Sequence, residues 1–173
     1  KGDKCNKPQC QLQHPKDGLS TKPDGTVEEG GFEVGEFIED YLHGKGKRTN
    51  PDGTIKEGEF VKNRLHGQGK RTWPDGTIDE GEFEDGHLHG QGKITYPDGE
   101  IDEGEFVSGD LRQGKRTYKD GKIKEGEFVN GDLHGQGKRT YPDGEIDEGE
   151  FVSGVLRQGK RTYKDGKIKE GEF

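Results

Sequence analysis

The chain has 173 residues, of which 23% are hydrophobic, 37% are charged and 32 are glycine. An apolar fraction so far below the ~45–50% of globular domains cannot fill one large core. The net charge of −8, with both signs mixed at short range, removes the basic face that nucleic acid needs. No apolar run approaches the ~20 residues of a membrane-spanning helix.

The first 19 residues are irregular and read as a leader or degenerate cap. Cys5 and Cys10 are the only cysteines; they are too few for a tetrahedral zinc site, and no histidine pair follows at finger spacing. Two free thiols fit a reducing compartment, and a small-loop disulfide fits an oxidising one. No secretory signal pattern opens the sequence. A weak first unit spans His14 to Phe32, and Glu33 to Phe37 read as a short insertion that repeats the Phe.

From Ile38 the order is strict. Glu-Gly-Glu-Phe recurs six times, ending at Phe60, Phe83, Phe106, Phe128, Phe151 and Phe173, and Val34-Gly35-Glu36-Phe37 is a near-copy. The Phe-to-Phe steps are 23, 23, 23, 22, 23 and 22 residues. A fixed period of this size means a repeat architecture, in which each unit rests on its neighbours. Residues 20–173 are thus expected to form tandem repeats, and the stop at Phe173 within a unit points to a piece of a longer array.

Each unit reads as a hairpin. In Gly92 to Phe106, Thr95, Tyr96, Ile101 and Phe106 favour strands, and Pro97-Asp98-Gly99 supplies a type I turn with a G1 bulge. The other connection, Val107 to Gly114, is longer and rich in glycine. The predicted fold is all-β: an elongated, twisted β-meander of ~23-residue hairpins. The turn sets a register in which Thr95 faces Ile101, Lys93 faces Glu103 and Gly92 faces Gly104. Alternation then puts Tyr96, Gly92, Gly104 and Phe106 on one face. The result is a column of Phe60, Trp73, Phe83, Tyr96, Phe106, Tyr118, Phe128, Tyr141, Phe151 and Tyr163. The same register predicts cross-strand pairs Lys115–Glu125 and Lys138–Glu148. Residues 95–128 and 140–173 are near-identical, a two-unit duplication in which Glu100/Asp102 alternates with Lys122/Lys124. Adjacent units lie ~10 Å apart, so these opposite charges either lean across the gap as a lock or simply make a solvated face, each surface pair contributing ~0–1 kcal/mol.

Leu65-His66-Gly67-Gln68-Gly69-Lys70 with Glu80-Gly81-Glu82-Phe83, repeated at this period over about 23–173, resembles the MORN (membrane occupation and recognition nexus) repeat. The resemblance implies hairpin units in a twisted all-β ribbon. It also implies a scaffold that binds protein partners, cytoskeletal or ciliary ones among them, with self-association open and a cytoplasmic, cytoskeletal or ciliary location. A regulatory extension of a phosphatidylinositol phosphate kinase or another enzyme is the alternative. Family units usually carry a Tyr two residues before the Gly of Gly-Glu-Phe, where this chain has Lys56, Asp79, Asp102, Lys124, Asp147 and Lys169. The aromatic groove is poorer for it.

Other chemistry finds little support. Equivalent histidines His43, His66, His89 and His134 lie ~10 Å apart and cannot share a metal. The acidic clusters have no calcium-loop spacing. Three serines without a singular His/Asp grouping make no nucleophile. No catalytic residue, metal or cofactor is expected. Membrane lipid ranks below protein partners, because Gly44-Lys45-Gly46-Lys47-Arg48 is the densest basic patch. The candidate partner-binding residues are Trp73, Tyr96, Tyr118, Tyr141 and Tyr163.

Overall fold

In a computed structural model of the protein, the described residues are 10–13, 19–21, 27–29, 32–38 and 41–173, with side chains described from 41 onward. The Cys5 and Cys10 pairing therefore lies outside the described residues. The chain divides into two compact units, Lys1–His87 and Leu88–Phe173.

The first unit contains β1 (Cys10–Gln13), β2 (Leu19–Thr21), β3 (Val27–Glu29), β4 (Phe32–Ile38), β5 (Tyr41–Thr49), β6 (Ile55–Val61), β7 (Arg64–Thr72) and β8 (Ile78–Glu84). Strand β1 lies inside the stretch read as a leader and pairs with β4; the sheet then runs β4-β5-β6-β7-β8, every neighbour antiparallel. Strands β2 and β3 form a separate hairpin. The second unit follows with β9 (His87–Thr95), β10 (Ile101–Val107), β11 (Asp110–Thr117), β12 (Ile123–Val129), β13 (Asp132–Thr140), β14 (Ile146–Val152), β15 (Val155–Thr162) and β16 (Ile168–Glu172). It too is an antiparallel meander. The all-β hairpin architecture expected from the period is what the chain adopts.

The Pro-Asp-Gly turns behave as predicted. Gly99 N donates to Tyr96 O (3.0 Å) and Tyr96 N to Glu100 O (2.9 Å), closing a three-residue loop that ends on Gly99 at φ +90°. In the same turn of two earlier repeats, Asp52 Oδ1 and Asp75 Oδ1 accept from Thr54 N and Thr77 N, and these bonds hold both carboxyls below their ordinary pKa. Thr95–Ile101, Lys93–Glu103 and Gly92–Gly104 pair in the expected register.

The second connection differs from the expectation. It is a two-residue turn, Ser108 (φ +54°) and Gly109 (φ +91°), with Val107 facing Asp110. Two successive positive φ values are the signature of a type I′ turn, whose twist matches that of the strands. The glycine-rich residues beyond it belong to the strand and form a bulge. Between the pairs Phe106–Leu111 and Gly104–Gly114, β11 spends Arg112 and Gln113 against the single Glu105. Between Phe128–Leu133 and Gly126–Gly137, β13 spends His134, Gly135 and Gln136 against Glu127. That one residue is the difference between the two repeat lengths. Histidine therefore marks the longer bulge, and Gly135 takes φ +75° within it.

At Gly104 and Gly114, strands approach too closely for a side chain. A Cβ on Gly104 would fall inside the envelope of Gln113 O and Gly114 Cα, at a φ of +148°.

Each unit has its own buried core. Phe60 and Phe83, with Leu42 and Leu65, are buried in the first unit; Leu88, Phe106, Leu111, Phe128, Leu133, Phe151 and Leu156 are buried in the second. The leucines, which the sequence reading left out of the aromatic column, supply six of these eleven buried side chains. Successive hairpins are also stapled: the turn residues Gly86, Gly109 and Gly154 each donate to the carbonyl of a core leucine one unit back, all at 2.8 Å.

The outer face carries the expected Lys–Glu ladder, with Lys115 opposite Glu125 and Lys138 opposite Glu148. In the first unit Lys70 Nζ lies 2.9 Å from Glu80 Oε1, both side chains 48% exposed. Solvent screens such a pair, so Lys70→Ala is expected to change stability by less than ~1 kcal/mol in a thermal melt.

A candidate protein-interaction face

The phenylalanine side also holds the unusual charged residues. Alternation puts the residue two before the repeat glycine on the same face as the glycine and the Phe, and Asp79, Asp102, Lys124 and Asp147 are all buried there. A carboxylate in that position costs several kcal/mol unless it is paired. Arginines from adjacent strands pair it. Arg71 Nη2 meets Asp79 Oδ2 at 2.7 Å. Arg116 grips Asp102 with two bonds, Nε to Oδ1 and Nη2 to Oδ2, both 2.6 Å. Asp147 takes Arg161 through both oxygens (2.5 and 3.0 Å) and Arg139 Nη2 at 2.7 Å. Arg139 reaches Asp147 through Nη2 alone and donates Nη1 to Gly154 O at 2.9 Å, while its buried Nε has no hydrogen-bond partner.

The difference among the three acids follows from the opposing residue. Asp147 faces Arg139 and Arg161, whereas Asp102 faces Ile94 on one side and Arg116 on the other. The hydrogen bonds that Arg116 donates to Asp102 hold the Arg116 pKa above its ordinary value. Burial pushes Asp147 up, but the bonds from Arg161 and Arg139 outweigh that and leave it below the usual carboxylate range.

Of the two readings of the alternating charges, the lock between Asp102 and Lys124 is not formed. Asp102 bonds Arg116, not Lys124, and Lys124 Nζ instead meets Asp132 Oδ1 at 3.2 Å. Lys122 lies over the Tyr118 ring, 4.1 Å from its centroid. An arginine fork satisfies a buried carboxylate better than a lysine point charge does.

The five candidate residues border this row. Trp73 Nε1 donates to Asp79 Oδ2 (3.0 Å) and Tyr96 Oη to Asp102 Oδ2 (3.3 Å); Tyr141 Oη reaches Asp147 Oδ2 at 3.5 Å. Burial is the main cause that raises the Tyr141 pKa. Tyr118, whose repeat has Lys124 in place of an aspartate, contacts lysines instead. Tyr163 holds the same turn position, its N donating to Lys167 O at 2.8 Å. Arginines lie between the aromatic types: Arg71 is 4.4 Å from Trp73 and 5.6 Å from Phe83, and Arg139 is 5.1 Å from Tyr141 and 5.4 Å from Phe151. These arginines escaped the sequence reading. The signal was present, since each stands two residues before an aromatic in Arg-Thr-Trp or Arg-Thr-Tyr and so shares its face.

Among the described residues no group of three or more His, Cys, Asp or Glu could hold a metal ion. In each unit the phenylalanine side offers rings, guanidinium planes and hydrogen-bonding tips.

No curated protein sequence matches the chain. In fold it is similar to the TCP domain of SAS-4 (dCPAP) of Drosophila melanogaster, solved in complex with a proline-rich motif of Ana2 (dSTIL). The TM-score is 0.50 at 13% identity, covering 99% of this chain and 98% of that one. A second structure, the wild-type TCP10 domain of Danio rerio CPAP in complex with a peptide of Danio rerio STIL, matches at TM-score 0.27 and 21% identity, covering 95% and 92%. The family model of the MORN repeat matches residues 34–55, 57–78, 80–101, 125–146 and 148–168, more than half of the chain. The unmatched 102–124 holds the short bulge Leu111-Arg112-Gln113-Gly114. With hairpin units, a repeated Gly-Glu-Phe and five stretches in register, this chain belongs to the MORN repeat family.

Proposed function

We propose that the chain is a non-enzymatic scaffold that presents its aromatic and arginine face to protein partners. The observation that carries this reading is the recurrence of one face chemistry, unit after unit, with no singular site among the described residues. The likeness of fold to a domain solved with a proline-rich motif supports it. Partners in cytoskeletal or ciliary assemblies, and a cytoplasmic location beside them, complete the proposal.

The test replaces Trp73, Tyr96 and Tyr118 with Ser and compares capture of partners from a cytoskeletal extract. Capture is expected to fall about tenfold or more, since aromatic anchors dominate interfaces. The strand signal in circular dichroism should persist. A companion variant, Tyr96→Phe with Tyr118→Phe, keeps the rings and should retain capture. Undiminished capture by the Ser variant would refute the assignment of this face.

A further inference from the structure

Strands β5, β6 and β7 bring three cations into register, with Lys56 opposite Arg48 on one side and Arg71 on the other. Arg71 is answered by Asp79 at 2.7 Å. Arg48 is opposite Glu33 of β4 in the register, and its Nε donates to Asn50 Oδ1 at 3.0 Å. Among the described residues neither Lys56 nor Arg64 has a carboxylate within ion-pair distance. Burial first, then Arg48 and Arg71, draw the Lys56 pKa below its ordinary value, against a weaker pull from Asp52.

A sister repeat shows what is missing. Lys124 lies between Arg116 and Arg139 in the same register, but its Nζ is 3.2 Å from Asp132 Oδ1. Asp132 stands eight residues after Lys124, and eight residues after Lys56 stands Arg64. The two occupy the same place: Asp132 packs beside Gly154 and Arg64 beside Gly86, each glycine being 22 residues further on. One repeat closes its lysine with a carboxylate. The other sets a further cation there.

We propose that Lys56 and Arg64, flanked by Arg71, form a docking site for an acidic, extended protein segment, whose carboxylate takes the place that Asp132 fills beside Lys124. This rests on the reading of the face as a protein-interaction surface and names the chemistry of the partner. The chain as a whole is acidic, at −8, so the cluster is a local reversal of sign. Lys56 and Arg64 lie on adjacent strands about 4.8 Å apart, so carboxylates on alternate residues of an extended chain, about 6.6 Å apart, can make two contacts. Guanidinium and ammonium groups give such carboxylates charge-assisted hydrogen bonds. Trp73, stacked on Arg71 at 4.4 Å, forms an aromatic flank.

The probe is an oligoglutamate peptide titrated into the full chain. Trp73 is the only tryptophan and reports on the cluster directly; calorimetry counts sites. One peptide per chain is expected, with affinity falling as salt screens the charges. Arg64→Asp installs the counter-ion of the sister repeat, so the melting temperature should hold while affinity drops about tenfold or more. Asp132→Arg should open a second site and raise the stoichiometry to two. Arg64→Asp binding within about twofold of the parent, or Asp132→Arg still binding a single peptide, would overturn the proposal. So would phosphatidylserine vesicles that bind through Arg64 while oligoglutamate does not. If no peptide binds while the Ser variant still loses its partners, the charge assignment falls and the interaction face stands.

Discussion

Replacing Asp147 by Ala is expected to lower the unfolding free energy by ~3–5 kcal/mol, the usual cost of removing one member of a buried ion pair. Asp147 is fully buried, and Arg139 and Arg161 are 16% and 30% exposed beside it. Without the carboxylate two guanidiniums face each other across strand β14. The native interaction is not itself a large net gain, because desolvating three charges offsets their attraction. A triple variant, Asp147→Leu with Arg139→Met and Arg161→Met, should therefore recover most of the loss. Chemical denaturation of the three proteins checks both statements.

The same group sets an acid limit. The folded pKa of Asp147 is depressed, so its contribution is present above the unfolded carboxyl value of about 3.9 and is lost as pH falls through the folded value. Between pH ~4 and lower values the parent protein should lose stability more steeply than Asp147→Ala. Equal slopes in urea titrations would show that Asp147 does not carry this dependence.

Phe106→Ala should cost a similar ~3–5 kcal/mol through the cavity it leaves. Phe106 is fully buried, opposite Leu111 in one neighbouring strand and Gly90 in the other. The glycine offers nothing that can swing into the space. In a repeat fold stability is a sum of unit and nearest-neighbour terms, so the damage should be local. Hydrogen exchange should accelerate in β9 to β11 and much less in β15. A uniform acceleration across the second unit would mean that it unfolds as one body instead.

Much of this fold could be read from residue order alone. Pro97-Asp98-Gly99 dictated a turn, the turn fixed the register, and the register placed Phe106 with Gly104. The bulge was not legible, because Leu111-Arg112-Gln113-Gly114 looks like loop until its pairing with β10 is known. Nor was the role of the buried acids, which stood out as departures from the family pattern. Their partners lie on adjacent strands, 8 residues away for Arg71 and 14 for Arg116. Spacing along the chain does not single out such a contact when every repeat offers a choice of Lys and Arg.

The bulge of one or two residues has a consequence for how such an array can change. A repeat that gains or loses a residue elsewhere in a strand would invert every side chain beyond it. Here the surplus is discharged between two fixed pairings, Phe with Leu and Gly with Gly, before the next strand begins. Length errors therefore do not accumulate. Each hairpin resets the phase of the next, and insertions at this one point can be tried by evolution, or by a designer, without displacing the rows on either face.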